Sequence, residues 1–507
     1  MLFPIQFVYS HTHSLEWLYS GIISDRYPAQ DRSDYPLPPG IPGFCFPKGI
    51  DIIEEINSSN EKRSTPSRST PKDIPVGSSI NTPPSLNTTK SKSPPRNDIT
   101  PNSSSNGLSS IASSNNKDVS KSSNNKRMKP TFHSFVHTSE NGNRILGCCL
   151  TFYERISSSQ VSELKNYMHT MEYSKSHIDA LDTKTLYMPR CICLISHWPF
   201  ASSFKQVLAG LYKIVRSPSS GIPIERYICN FIDDVPSPPA GRVDITYYLN
   251  DQAISFRCPA ANEPNAWCGL SLFPLFECLS PENILSLFAL VVTERQVLLI
   301  SSQLSLLSIC AEALTSLMYP LTWTHCYIPI LPLHYIGVLQ TPTPFIIGIP
   351  SSFLASSDCC LGEETVCVYL DENRLTYGSL GPPPALPERR YKKMLAEITE
   401  INIFGTRGSS WNTARLPCFD DAFSTVSDKS KISIDETLIR STFLKFFVAI
   451  LKNYRRHLNY KINNASNNDL RNAALFNTRS LTHSLTHSLT HLLTHSLTHL
   501  LTYTGTL

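Results

Sequence analysis

The run Gln296-Val-Leu-Leu-Ile-Ser301 constrains this chain most tightly. A strand that is apolar on both alternating faces cannot border water on one side. It needs cover above and below. The same character returns at 191–196, 326–330 and 345–349. Between these strands the apolar spacing turns helical. Phe204, Val207, Leu208, Leu211, Tyr212 and Val215 follow Ser203, and Gln206 stands three residues beyond it, which predicts a capped helix. Further helices are predicted over 223–235 and 303–318. Another opens at Ser280-Pro281, where proline's missing N–H costs nothing, and runs to about Glu294. Residues 243–249 read as a strand, and 366–370 with 374–377 as a closing hairpin. Buried strands alternating with helices predict a doubly wound α/β sheet covered on both faces.

On the N-terminal side, Phe132-His-Ser-Phe-Val-His-Thr138 and the segment 144–152 flank Asn141-Gly142, a pair suited to the positive φ angles of a tight hairpin turn. A helix follows over 160–171. Residues 57–130 are Ser-, Asn-, Pro- and Lys-rich without an aromatic, too polar to offset their ordering entropy, and predict a disordered insertion. After Pro382-Pro383-Pro384 the pattern is helical, over 388–401 and from a Ser433-Ile-Asp-Glu436 capping box to about Tyr460. The inner stripe expected of that second helix is Leu444, Phe447, Leu451, Tyr454 and Leu458. From Ser480 a Ser-Leu-Thr-His unit repeats. Its histidines (483, 487, 491, 495, 499) drift about 40° per repeat around a helix, so they share no metal-binding face.

The 507 residues carry a net charge of +4, too little to indicate nucleic acid. Residues 57–130 hold twelve Lys/Arg against four Asp/Glu, a balance of +8 that leaves the remainder at −4. Fifteen cysteines include no Cys-x-x-Cys, so neither a zinc framework nor a disulfide framework is predicted; free buried thiols of a reducing cytosol are. The opening residues lack the charged start and apolar core of a secretory signal. Residues 313–357 contain no Asp, Glu, Lys or Arg, but six prolines cut them into windows too short to span a membrane.

Phosphate-binding glycine loops, nucleophile elbows and His-Glu-x-x-His helices are missing from the sequence. Asp233-Asp234 is a carboxylate pair whose members point about 100° apart on a helix. His325 and Cys326 face opposite sides of a strand. Glu294-Arg295 reads as a structural ion pair. No catalytic, cofactor-binding or metal-binding residue is predicted, and no cofactor.

Several blocks resemble a DENN module, which has upstream, central and downstream parts. Tyr35-Pro-Leu-Pro-Pro-Gly-Ile-Pro-Gly-Phe-Cys-Phe-Pro-Lys-Gly49, the segment 132–138 and Ile145-Leu-Gly-Cys-Cys-Leu-Thr-Phe-Tyr153 resemble the upstream part. The central part is carried by Cys191-Ile-Cys-Leu-Ile-Ser-His-Trp-Pro-Phe200, the segment 223–239 containing Asp-Asp-Val-Pro, and Thr293-Glu-Arg-Gln-Val-Leu-Leu-Ile-Ser301. It continues through Met318-Tyr-Pro-Leu-Thr-Trp323, Tyr327-Ile-Pro-Ile-Leu-Pro332, Thr343-Pro-Phe-Ile-Ile-Gly348 and Val366-Cys-Val-Tyr-Leu-Asp371. Phe443-Leu-Lys-Phe-Phe-Val-Ala-Ile-Leu-Lys-Asn-Tyr-Arg455 resembles the first helix of the downstream part. The upstream match lacks its usual first strand, and the downstream match ends after one helix.

The resemblance implies a longin-like α/β upstream lobe (1–180, interrupted by 57–130), a doubly wound α/β central lobe (185–382) and a truncated all-α downstream lobe (385–475), with a low-complexity tail at 476–507. It also implies a guanine-nucleotide exchange factor for a Rab-type small GTPase in membrane trafficking, without covalent chemistry or a small-molecule substrate. Such a protein is expected in the cytoplasm, peripheral on endomembranes, with the basic insert touching anionic lipid. The alternative is a non-exchanging scaffold or an inactive fragment. The residues of the GTPase interface are not legible in the sequence.

Overall fold

The computed structural model describes residues 5–11, 22–31, 36–38, 40–49, 53–55, 128–139, 142, 144–170, 185–217, 221–241, 243–258, 270–355, 359–401, 418–424, 436–452, 458–460 and 474–476. Residues 57–127 of the predicted disordered insertion and the histidine-repeat tail lie outside them.

Two sheets organise these residues. The upstream sheet runs β2 (Ile22–Tyr27), β1 (Ile5–His11), β6 (Thr185–Ser196), β5 (Arg144–Arg155), β4 (Thr131–Thr138), antiparallel at every step of that order, with β3 (Ile53–Glu55) also paired to β6. The predicted hairpin is β4–β5, closing at Thr138 opposite Arg144 with Gly142 at φ +77°. A first strand, expected to be missing, is present as β1. Residues 191–196 were placed with the central sheet; they belong instead to β6, in the middle of the upstream one. Composition could not separate these cases, because β6 is buried on both faces just as a central parallel strand is.

The central sheet has the order β10 (Cys326–Ile328), β11 (Phe345–Pro350), β9 (Val297–Ser301), β12 (Val366–Tyr369), β13 (Arg374–Thr376). Its first four strands are parallel, and β13 returns antiparallel as the predicted hairpin. Alternate residues enter different cores. Val297, Leu299, Ile346, Val366 and Val368 pack into the large core, while Leu298, Ile300, Phe345, Ile347, Ile349 and Cys367 fill a second one with Leu331, Leu339 and Phe353. The two-sided cover inferred from 296–301 is therefore present.

In chain order the helices are α1 (Ile41–Cys45), α2 (Ser158–Thr170), α3 (Ala201–Arg216), α4 (Ile224–Cys229), α5 (Phe273–Cys278), α6 (Pro281–Val292), α7 (Leu304–Ser316), α8 (Glu388–Ile401) and α9 (Glu436–Leu451). Ser280 caps α6 as predicted, its Oγ accepting from the Asn283 amide at 3.3 Å. Asn373, at φ +50°, braces that cap by accepting from the Ser280 amide at 2.8 Å. The cap predicted at Ser203 is not used. Helix α3 begins at Ala201, and the Ser203 hydroxyl donates to the Ser255 carbonyl instead. Helix α9 stops at Leu451, and Leu458–Tyr460, expected within the helix, instead form β14, paired with β15 (Ala474–Phe476). Its buried face is Ile439, Thr442, Phe443, Phe446 and Phe447, so Phe447 of the expected stripe is inward while Leu444 is only partly buried. The phase differs because Phe443, Phe446 and Phe447 all close on one ring, Phe288 of α6.

Candidate protein-docking face

Helix α7 makes the upstream and central sheets one body. Gln303 and Ser301 start it, and nearly every turn is apolar, the signature of a helix enclosed all round. On one side the Ser308 hydroxyl accepts from Ser134 of β4 at 3.1 Å, and the Ser305 hydroxyl donates to the Phe132 carbonyl. On the other side Leu307 lies against β11 at Gly348. The Asp420 carboxylate accepts from the Leu304 and Ser305 amides at 3.1 and 2.7 Å, neutralising two orphan donors at the start of α7. The Asp420 carbonyl in turn accepts from the Phe132 amide at 2.7 Å. A residue far along the chain thus staples β4 to α7.

A second clamp holds the opposite end. Arg144 donates to the Trp323 carbonyl at 2.7 Å and lies 4.8 Å from the Tyr327 ring centre. The Tyr327 hydroxyl donates to Glu312 of α7 at 2.6 Å. Burial raises the Glu312 carboxyl, although Tyr327 and Arg144 both pull it back down. Burial also pushes the Tyr327 phenol well up. These groups are structural, and the sequence carries no local signal for them because their partners are distant in the chain.

Against this body lies the segment 221–258. Helix α4 buries none of its six residues. It runs into a single π-turn, Asn230–Asp234, in which Phe231 and Ile232 are both buried. π-turns occur often at functional sites. Phe231 meets Tyr247 and Phe256 with ring centres 5.1 and 6.0 Å apart. The Asp233-Asp234 carboxylates are separately engaged. Asp233 accepts from the Tyr27 hydroxyl of β2, which raises that phenol, and Asp234 accepts from Asn230 at 2.8 Å.

The hairpin β7 (Asp244–Leu249) with β8 (Gln252–Arg257) follows. Tyr247, Leu249, Ile254 and Phe256 point into the core, and the intervening residues point out. Tyr248 is thereby 69% exposed, with Val243 at 55% and Ile222 at 50% on the same segment. Exposed aromatic and aliphatic groups on a framework packed into a core offer anchors for a protein partner.

The remaining sequence candidates fall elsewhere. Glu294 faces His325, 3.4 Å away, rather than Arg295. His325 lies edge-on to Trp323, while Cys326 packs toward the second central core, so the structure does not bring that pair together.

Two antiparallel and parallel α/β sheets joined through one shared helix define the chain as a two-lobed α/β module. The uDENN domain model matches residues 21–152, and the DENN (AEX-3) domain model matches residues 187–373. The chain belongs to the DENN-domain family. It is similar to the DENN domain and WD repeat-containing protein SCD1 of Arabidopsis thaliana, with 26% identity over 342 residues. That match covers 66% of this chain and 26% of the relative, so the chain spans about a quarter of its relative's length. Among the described residues, no helix is long and apolar enough to cross a membrane.

Proposed function

We propose that the chain is a guanine-nucleotide exchange factor for a Rab-type small GTPase, a regulatory protein that makes and breaks no covalent bond. The observation that carries this reading is the presence of both upstream and central DENN parts, fused through α7 into one framework. Members of this family typically act as Rab exchange factors. Physically the task is negative coupling. A nucleotide held at picomolar Kd is bound by about −16 kcal/mol. The factor must bind the nucleotide-free GTPase more tightly than the loaded one, and nucleotide must weaken the factor by the same ratio. A framework that holds its shape while the GTPase switch segments deform is suited to this.

The experiment is release of a fluorescent GDP analogue from a panel of Rab proteins in the presence of the full chain. At least one Rab is expected to lose nucleotide faster, and Tyr248→Ala is expected to slow that release by about tenfold or more, the scale of an interface aromatic. If folded protein accelerates no Rab, the exchange reading fails and the scaffold reading replaces it.

The basic segment 57–130 supports a second partner, an anionic lipid surface, because each Lys or Arg near such a surface contributes about 1 kcal/mol. Deleting 57–129 is expected to weaken sedimentation with phosphatidylserine vesicles. Equal sedimentation of the deleted chain would remove membrane contact from the proposal and place the chain in the cytoplasm by this route.

A further inference from the structure

The face of the upstream sheet that packs under α1 is built around sulfur. Cys191 and Cys193 stand two residues apart on β6 and so share a face. Cys149 of β5 sits directly opposite Cys193 in the strand register. Cys45, the last residue of α1, descends onto them. All four are buried, within a small core that also holds Ile41, Phe44, Phe135, Ile145 and Ile195.

Three of these four sulfurs converge on one another. Those of Cys45, Cys149 and Cys191 all lie within 4.8 Å of each other, and Cys149 to Cys45 is 3.8 Å. A tetrahedron of sulfurs around zinc, with Zn–S bonds of about 2.3 Å, has sulfur–sulfur edges of about 3.8 Å. Buried cysteines that only fill space have no reason to aim their sulfurs at a common point. Cys148, next in sequence to Cys149, shows the contrast: it points through the sheet into the large apolar core.

We propose that Cys45, Cys149 and Cys191 form a structural site for one soft divalent cation of the zinc class. The ligands come from one helix and two strands, so the ion would tie α1 to the centre of the upstream sheet. The three thiolates would fill three of zinc's four positions, and their full burial keeps any substrate out. The usual Cys-x-x-Cys signature is absent because no two ligands come from a zinc knuckle; the chelate is made by strand pairing. Thiols bind metal as thiolates, so binding releases protons and couples the ion to folding.

The test is elemental analysis of the full chain purified after expression in zinc-supplemented medium, followed by cobalt exchange. About one equivalent of zinc per chain and an intense thiolate-to-cobalt charge-transfer band are expected, as for a site of cysteine thiolates. Cys149→Ala is expected to abolish both, whereas Cys148→Ala retains them. If Cys149→Ala does not fold, the wild-type chain decides alone: adding a strong chelator should lower its unfolding temperature, and restoring zinc should raise it again. Folded wild-type protein that carries no metal, takes up no cobalt and melts identically with and without chelator would overturn the proposal and leave the three thiols as core packing.

Discussion

Gly348→Ala is expected to prevent the central sheet from forming normally. A Cβ at position 348 would fall 2.0 Å from the carbonyl oxygen of Pro329 and 3.3 Å from Cβ of Leu307. The first contact is with backbone, which has no rotamer to yield. The Gly348 carbonyl also accepts from the Leu331 amide at 2.8 Å, so β11 cannot back away without breaking that bond. Overpacking a close-packed core costs about 1–3 kcal/mol, and more where backbone must move. Here the shift would also displace Leu307 on α7, the helix that joins the two lobes. The expected loss is therefore about 3 kcal/mol or more, read as a lower urea midpoint, with Gly337→Ala as control because its added methyl meets open space. Equal midpoints for the two variants would show that the approach of Pro329 to β11 carries no such constraint.

Phe288→Ala is the second large effect. Phe288 is fully buried on α6, and its ring centre lies 4.8, 5.4 and 5.8 Å from Phe443, Phe446 and Phe447 of α9. Removing the central ring leaves three aromatic side chains around a void. Phe→Ala substitutions in cores cost about 3–5 kcal/mol. Because the void would sit between α6 and α9, the loss is expected to appear first as proteolytic cleavage within 436–451, before the central sheet is cut. Val448→Ala, on the exposed face of the same helix, is expected to change little. Cleavage at the same rate in wild-type and Phe288→Ala protein would show that α9 is not held by this ring.

The two substitutions also mark what could be read in the chain and what could not. The block Thr343-Pro-Phe-Ile-Ile-Gly348 was legible as a buried strand, because uninterrupted apolar residues need cover on both faces. Why its last residue is glycine was not, since Pro329 reaches it from another part of the chain. The helical character of 443–451 was legible too, but its inward face was not. Phe447 was on the expected stripe and is buried, but Phe443 and Phe446 join it in place of Leu444 because Phe288 waits opposite them.

The candidate site divides in the same way. Asp233 and Asp234 were recognised as a pair unsuited to acid–base chemistry, and the structure gives them separate partners. Tyr248 carried no signal, because an outward tyrosine on a strand is defined by which face the hairpin buries. The thiol cluster was invisible for a related reason: its members are separated by up to 146 positions (Cys45 to Cys191) and meet only through strand register and the placement of α1.

Local periodicity and burial demand thus determined, from sequence alone, that this is an α/β chain of alternating covered strands and helices, because those patterns depend on residues a few positions apart. Only tertiary structure decided that 191–196 completes the upstream sheet and that α7 is shared between lobes. It alone brought three sulfurs together, since such pairings depend on which distant segments meet, and chain spacing does not encode that.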